Sequence, residues 1–429
     1  MIRTARDRPV ATQGMGYAVG VGLAAAFAAI AQILLAKTMS VAEFGDFGFS
    51  YAFLQFAALL FEFGLFVPAA RIAARSAAGE ERHVVGAALA VYVPVGIAFS
   101  LTIFGLSFVT DAIFNVETGA ALRVTAVLAF VVPFPFVSQL LAQGVGRLHV
   151  YSITYAAGQG LFLIGVLIAV AADAQVDVTL ALLMRLTTLA VGCILFVIWI
   201  RPVIRRATRR AGELVRGARE YGFSVYVGRV LSIGTYNMDV LILAAFTSSE
   251  TVAFYVLARS FTIPISFPIN GMANALFPRM SRERGIQRRW LVVGWAGTAA
   301  LAAFVTIVGP LLIDALFAAG FEEAGDYVLP LAIAALLGGV TGIYNVYLSA
   351  QARGRDLQRA GFVLTVSNVI AAFALIPPFG AAGAAWASVL ALTANLLAHI
   401  HGYRRSLAEE DPDDPPPPPL VGPVADQAG

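Results

Sequence analysis

Apolar residues fill the chain in runs of about twenty, separated by short stretches rich in arginine, glycine and proline. A helix rising 1.5 Å per residue needs ~20 such residues to cross ~30 Å of hydrocarbon. Runs of this kind occur at 14–36, 45–68, 84–107, 122–142, 150–171, 178–200, 222–245, 251–274, 289–309, 327–350, 360–378 and 381–401. The pattern predicts an all-α polytopic membrane protein of about twelve transmembrane helices. Pro264 and Pro268 lie inside the eighth run, where missing amide donors predict a kink. The last two runs meet at Pro377-Pro378-Phe379-Gly380, which leaves room only for a tight hairpin. The first run follows Arg3, Arg6 and Arg8, as a secretory signal would. It is longer than a signal core and lacks a clear cleavage site before Lys37, so it reads as a span.

Composition agrees with the runs. Hydrophobic residues make up 59% of the 429 and charged residues 13%, with a mean hydropathy of +0.80. A soluble domain carries roughly 25% charged residues, so a fully water-facing exterior is excluded. The single cysteine, Cys193, allows no intrachain disulfide and argues against a thiolate metal cluster. His83, His149, His399 and His401 sit at loops or span ends, and the last two, two residues apart, point in different directions on a helix. No metal site is predicted.

The distribution of basic residues sets the orientation. With the N-terminus cytoplasmic, the cytoplasmic segments hold 24 of the 29 lysines and arginines, and the opposite side keeps only Lys37 and Arg123. This is the lysine/arginine bias expected of short cytoplasmic loops. It places both termini in the cytoplasm and the protein in the cell membrane. The expected organisation is an N-terminal six-helix bundle (1–200), an arginine-rich cytoplasmic linker (201–221), a C-terminal six-helix bundle (222–403) and a disordered cytoplasmic tail (404–429). The linker reads either as an amphipathic helix on anionic lipid or as a plain connector obeying the charge bias. The tail is acidic and proline-rich.

A shift of 208 residues brings Gln143-Gly144-Val145-Gly146-Arg147 onto Gln351-Ala352-Arg353-Gly354-Arg355, Ser40 onto Ser248 and Arg71 onto Arg279. Both copies fall on the same side of the membrane. The two bundles are therefore expected to be a parallel repeat about a pseudo-two-fold axis along the membrane normal. Such a pair flanks a central cavity, the architecture of alternating-access transport.

Five ionisable residues lie within spans: Glu62, Arg185, Arg229, Asp239 and Arg259. Each costs roughly 2.5–3.5 kcal/mol even on the lenient insertion scale and so requires a reason. Asp239 lies nine residues before Ser248 and Arg259 nine after Glu250, so antiparallel neighbours would place them at one depth as an ion-pair candidate. The three arginines have no charged counterpart under the 208-residue shift. They are therefore the candidate substrate-binding set of a cationic cavity, since a guanidinium fork engages two phosphate oxygens at once. Asp239, Asn237, Glu62 and Asn270 are the candidate supporting polar groups. Many intramembrane polar side chains, Gln159 and Asn368 among them, serve equally well as helix-to-helix glue. There is no phosphate-cradling glycine loop and no serine–histidine–acid set, so no catalytic residue and no cofactor are predicted, with a coupling ion left unidentified.

The segment 221–284 carries Asn237-Met238-Asp239, Thr251-Val252-Ala253-Phe254-Tyr255-Val256-Leu257-Ala258 and Leu276-Phe277-Pro278. It resembles the central signature of Wzx-type polysaccharide flippases of the multidrug/oligosaccharidyl-lipid/polysaccharide exporter superfamily. Glu43-Phe44-Gly45-Asp46-Phe47 is similar to their first-loop motif and Gly380-Ala381-Ala382-Gly383-Ala384-Ala385 to their last hairpin. The resemblance implies a non-enzyme that moves a polyprenyl-diphosphate-linked oligosaccharide from the inner to the outer face for cell-surface polysaccharide such as O-antigen. Its partners would be the lipid-linked oligosaccharide, the bilayer and polysaccharide polymerase or assembly proteins, with no nucleic acid. The alternatives are a multidrug/cation antiporter or a lipid II flippase of the same superfamily. A membrane polymerase or ligase would need a larger outer loop than the 310–326 stretch.

Overall fold

The computed structural model describes residues 10–409 apart from 78, 205, 206, 282, 318, 319 and 352. Within helices, the side chains of 10–15, 18, 207–210, 220–221, 224–225, 227–229, 231–236, 274–275 and 278 fall outside the described set. Described residues are helical throughout most of their length, with no strand among them. The N-terminal half contains α1 (Val10–Leu35), α2 (Val41–Leu60), α3 (Val67–Arg75), α4 (Glu81–Leu106), α5 (Thr110–Ile113), α6 (Gly119–Ala129), α7 (Phe134–Gly144), α8 (Leu148–Ala171) and α9 (Val178–Ile200). The C-terminal half contains α10 (Ala207–Gly217), α11 (Phe223–Phe246), α12 (Ser249–Thr262), α13 (Phe267–Met280), α14 (Arg288–Leu316), α15 (Ala324–Ala350) and α16 (Gly354–Glu409).

Eight described segments are long and apolar enough to cross a membrane. Their outer faces carry large apolar side chains in the open, including Val127 at 77% exposure and Ile307 at 67%. In water such a surface would associate; in hydrocarbon it is the matched solvent, and helices satisfy their own backbone groups there. The protein is a multi-pass α-helical membrane protein.

Helix starts follow local chemistry. The Ser40 hydroxyl accepts the Glu43 amide at 3.3 Å while the Glu43 carboxylate accepts the Ser40 amide at 3.0 Å, a reciprocal cap on α2. The Asp177 carboxylate accepts the Leu180 amide at 2.8 Å at the start of α9. The expected kink at Pro264 is present: α12 ends at Thr262 and α13 begins at Phe267 after one tight turn. The last hairpin is also present, α16 reversing at Gly380 (φ 55°, ψ −131°). A Cβ on Gly383 would lie 2.1 Å from the Leu375 carbonyl oxygen, so only glycine lets the two arms meet there.

Three expectations change. The second run is not one helix from 45 to 68: α2 stops at Leu60, and Phe63 (φ 46°) and Gly64 (φ 67°) turn the chain before α3. The turn is held by packing, because a Cβ on Gly64 would meet the Gly222 carbonyl at 2.4 Å. The fourth run divides at Pro133 into α6 and α7. Residues 404–409 belong to α16 rather than to a disordered tail. Glu409 pairs with Arg353 and, at 2.5 Å, with Arg405, and both arginines hold its carboxyl below the usual range. Part of the predicted linker is the helix α10, whose buried Leu214 belongs to the cluster that also contains Val84 and Ala88 of α4. The tail 410–429, Arg3, Arg6 and Arg8 lie outside the described residues.

The two halves meet along α2, whose neighbours include α11 and α12, along α1, which packs on α12 and α13, and where α10 lies against α4. At the start of α2, Gly45 approaches so closely that a Cβ would stand 1.8 Å from the Ser249 carbonyl oxygen, and the Ser249 hydroxyl donates to Asp46 at 2.5 Å. At its end, the Tyr226 hydroxyl donates to the Leu60 carbonyl at 2.7 Å. Residues 110–118 add a clasp: the Asn115 amide donates to the Ala244 carbonyl at 2.9 Å.

Candidate functional site

The intramembrane charges fall into two unlike environments. Arg185, on α9, is 7% exposed. Its guanidinium donates to the Gln159 side-chain oxygen on α8 and to the Tyr51 hydroxyl on α2, the latter at 2.9 Å. It lies over the Tyr51 ring at 4.6 Å and over the Phe162 ring at 4.7 Å. No ion pair with a carboxylate is formed by Arg185 among the described residues. A cation buried in hydrocarbon is tolerated here because aromatic faces and oxygen acceptors replace its water. The charge is not neutralised.

Asp239, on α11, is likewise 7% exposed. The Tyr255 hydroxyl donates to its Oδ2 at 3.0 Å, the Ser388 hydroxyl to the same oxygen at 3.0 Å, and Asn368 Nδ2 to its Oδ1 at 3.1 Å. These donors come from α12 and from both arms of α16. The ion pair expected between Asp239 and Arg259 is not formed within 4 Å among the described residues. Tyr255, which takes that place, stands one helical turn before Arg259 on the same face of α12. The hydroxyl, and the hairpin that folds over α11, occupy the carboxylate instead. Beside it, the Asn368 side-chain oxygen is buried without a hydrogen-bond partner among the described residues.

Arg259 is half-buried on α12, and its side chain forms no hydrogen bond or ion pair among the described residues. Arg229 lies on α11, but its side chain falls outside the described set. Asn237 is half-buried on α11, two residues before Asp239. Glu62 is buried in the turn after α2 rather than within a helix. Asn270, on α13, presses against α15: a Cβ on Gly342 would meet its Oδ1 at 2.4 Å, a helix-gluing position. Among the described side chains, the predicted residues do not form one hydrogen-bonded cluster. Arg185 belongs to the N-terminal half, Asp239 to the C-terminal half, and each has its own neutral shell. Tyr51, Phe162, Tyr255 and Ser388 complete those shells and were not singled out by sequence as site residues. The spacing of Tyr255 to Arg259 was the one available signal; Ser388 sits in a small-residue run that reads as packing. Among the described residues no group of three or more metal-ligating side chains occurs.

Comparison with known proteins gives the family and the fold. Residues 11–283 match the family described as polysaccharide biosynthesis protein. The chain belongs to that family. None of the curated proteins matches it significantly. Among solved structures it is similar to a MATE-family multidrug transporter of the MOP superfamily in an inward-facing conformation (15% identity, 91% of this chain and 98% of that one, TM-score 0.72). It is similar also to the lipid II flippase MurJ in an inward closed conformation (12% identity, 91% and 90%, TM-score 0.66). A third is a MOP superfamily transporter from Pyrococcus furiosus whose binding pocket has reversed polarity (14% identity, 94% and 96%, TM-score 0.64). At these identities the likeness establishes a shared fold.

Proposed function

We propose that this family member is a flippase that moves a polyprenyl-diphosphate-linked oligosaccharide from the cytoplasmic to the outer face of the cell membrane by alternating access. The observation that carries the reading is the family match over 11–283, a segment that holds Arg185, Arg229, Asp239 and Arg259. Its architecture is two six-helix bundles, 1–200 and 222–403, related by a parallel repeat and totalling about twelve spans. Helix starts support the repeat: Val41 and Ser249, Glu81 and Arg288, Gly119 and Ala324, and Leu148 and Gly354 begin corresponding helices 205 to 208 residues apart. Ser40 and Ser248 precede the first of those pairs as N-caps. No catalytic residue is assigned, and the protein acts as a carrier rather than an enzyme.

Arg259 and Arg229 are assigned to the diphosphate, with Arg185 setting a positive potential in the N-terminal half. Supporting this, Arg185 and Arg259 have no carboxylate partner within 4 Å among the described residues, so their field remains available to an anion. Asp239 is assigned to energy coupling. Among the described residues the carboxylate is held by three neutral donors and faces no cation within 4 Å, so its charge remains available to a coupling ion. Deletion should trap a lipid-linked glycan on the inner leaflet, and the wild-type chain should rescue export. Rescue by Arg259→Ala and Arg229→Ala as good as wild type would remove the cationic assignment. The identity of the trapped lipid separates this reading from a lipid II flippase, which shares the fold and would accumulate the peptidoglycan precursor instead.

A further inference from the structure

Three helix ends of the N-terminal half converge. Arg82 lies in the first turn of α4, Arg147 caps the start of α8, and Arg201 follows the last residue of α9. Together they rim an open cleft of about 620 Å³ between α8 and α9. Below the rim its walls are Ile153, Leu195, Ile198 and Trp199, whose exposures of 38–62% put them at the hydrocarbon surface. None of the lining residues is acidic; Glu80 and Glu81 precede Arg82 but stand outside the lining.

The cleft is built rather than incidental. Arg201 adopts the left-handed backbone conformation (φ 53°, ψ 63°), which a non-glycine residue holds only when its surroundings impose it. Arg82 imposes it: its Nε donates to the Arg201 carbonyl at 2.7 Å while its own carbonyl accepts the Val203 amide at 3.0 Å. Gly86 lets that segment approach, since a Cβ there would stand 2.2 Å from the Val203 carbonyl oxygen. The result brings like charges together at two helix N-termini, where the helix dipole already disfavours cations. No ion pair relieves Arg82, Arg147 or Arg201 among the described residues. Strain and like-charge repulsion at one spot, above an apolar groove open to lipid, call for an anionic head group on an acyl chain.

We propose that this cleft binds an anionic phospholipid of the cytoplasmic leaflet, its phosphate between Arg147 and Arg201 and its acyl chain along Ile153, Ile198 and Trp199. The proposal does not depend on the substrate assigned above; it depends on the arginine-rich loops facing the cytoplasm.

Trp199 reports the site directly. The chain has four tryptophans, so Trp290→Phe, Trp295→Phe and Trp386→Phe together leave one. The full-length protein is reconstituted in phosphatidylcholine vesicles with a small fraction of brominated phosphatidylglycerol or, separately, brominated phosphatidylcholine. The anionic quencher should quench Trp199 well beyond its mole fraction, and the neutral one in proportion to it. Arg147→Gln with Arg201→Gln should lower the relative affinity for the anionic lipid about thirtyfold, as removal of two basic residues from a lipid surface predicts. Arg147→Lys with Arg201→Lys should restore most of it, which separates charge from folding. Equal quenching by both lipids, or a preference that survives the double glutamine variant, overturns the proposal. Displacement of the brominated lipid by millimolar inorganic phosphate would also overturn it, showing an anion site without a lipid requirement. Stronger displacement by a polyprenyl phosphate than by phosphatidylglycerol would overturn it in favour of the transported lipid.

Discussion

Replacing Asp239 by alanine or by asparagine should separate the shape of its site from its charge. Alanine removes the acceptor of three buried donors at once. Ser388 can fall back on the Ala384 carbonyl, already 3.2 Å away. The Asn368 amide is then stranded in a buried site and the Tyr255 hydroxyl keeps only a 3.5 Å contact with the Ser388 oxygen, at about 1–3 kcal/mol each. The expected loss is therefore about 2–6 kcal/mol. Asparagine keeps the shape. Its carbonyl oxygen can still accept from Tyr255 and Ser388, and its new amide group faces Asn368. That side chain has an unpartnered oxygen, so turning its amide about presents an acceptor to the new donor. Turned about, the Asn368 amide places its own donor where its oxygen now lies without a partner, so the asparagine variant should lose about 1–3 kcal/mol, less than alanine. Unfolding in mixed micelles, followed by circular dichroism across an added-denaturant series, measures both variants. Export of surface polysaccharide in a deletion strain measures their activity. The more stable asparagine variant should fail to support export, because its site no longer carries a charge to couple. If asparagine destabilises as much as alanine, the hydrogen-bond accounting is wrong. If it exports normally, Asp239 is a structural clamp and not a coupling group.

Arg185→Lys keeps the charge but loses the fork and the stacking on Tyr51 and Phe162, so a loss of about 2–4 kcal/mol is expected in the same unfolding assay; an unchanged midpoint would show that the cage is loose. Gly45→Val should force the starts of α2 and α12 apart. The present 1.8 Å approach must relax to at least 3.4 Å, a shift of about 1.6 Å. Spin-label distances across that junction, taken in a Cys193→Ala background, should lengthen and broaden, and an unaltered distribution would contradict the clasp. Gly383→Ala should destabilise the last hairpin through the 2.1 Å approach to the Leu375 carbonyl. Because that hairpin supplies Asn368 and Ser388, the same change should impair export as well as unfolding resistance.

Much of the fold was legible along the chain because hydrocarbon is a simple solvent. It demands helices, it fixes their length, and it makes every internal charge conspicuous. Those demands act residue by residue, so the runs, the kink at Pro264, the hairpin at Gly380 and the charges at Arg185 and Asp239 could be read without knowing any neighbour. The same simplicity hid the breaks at 61–66 and 130–133. Both lie in apolar sequence, and hydropathy is blind to a helix that stops inside protein; the first stops where Gly64 and Gly222 pack backbone to backbone. What only the tertiary structure decided was partnership. Tyr51 reaches Arg185 across 134 residues, and Asn368 and Ser388 reach Asp239 across 129 and 149. Helical periodicity says which face turns inward but not which of many polar side chains it will meet. So the sequence by itself determined that charges stand inside the membrane, and packing determined that each stands among neutral donors or acceptors rather than opposite the other.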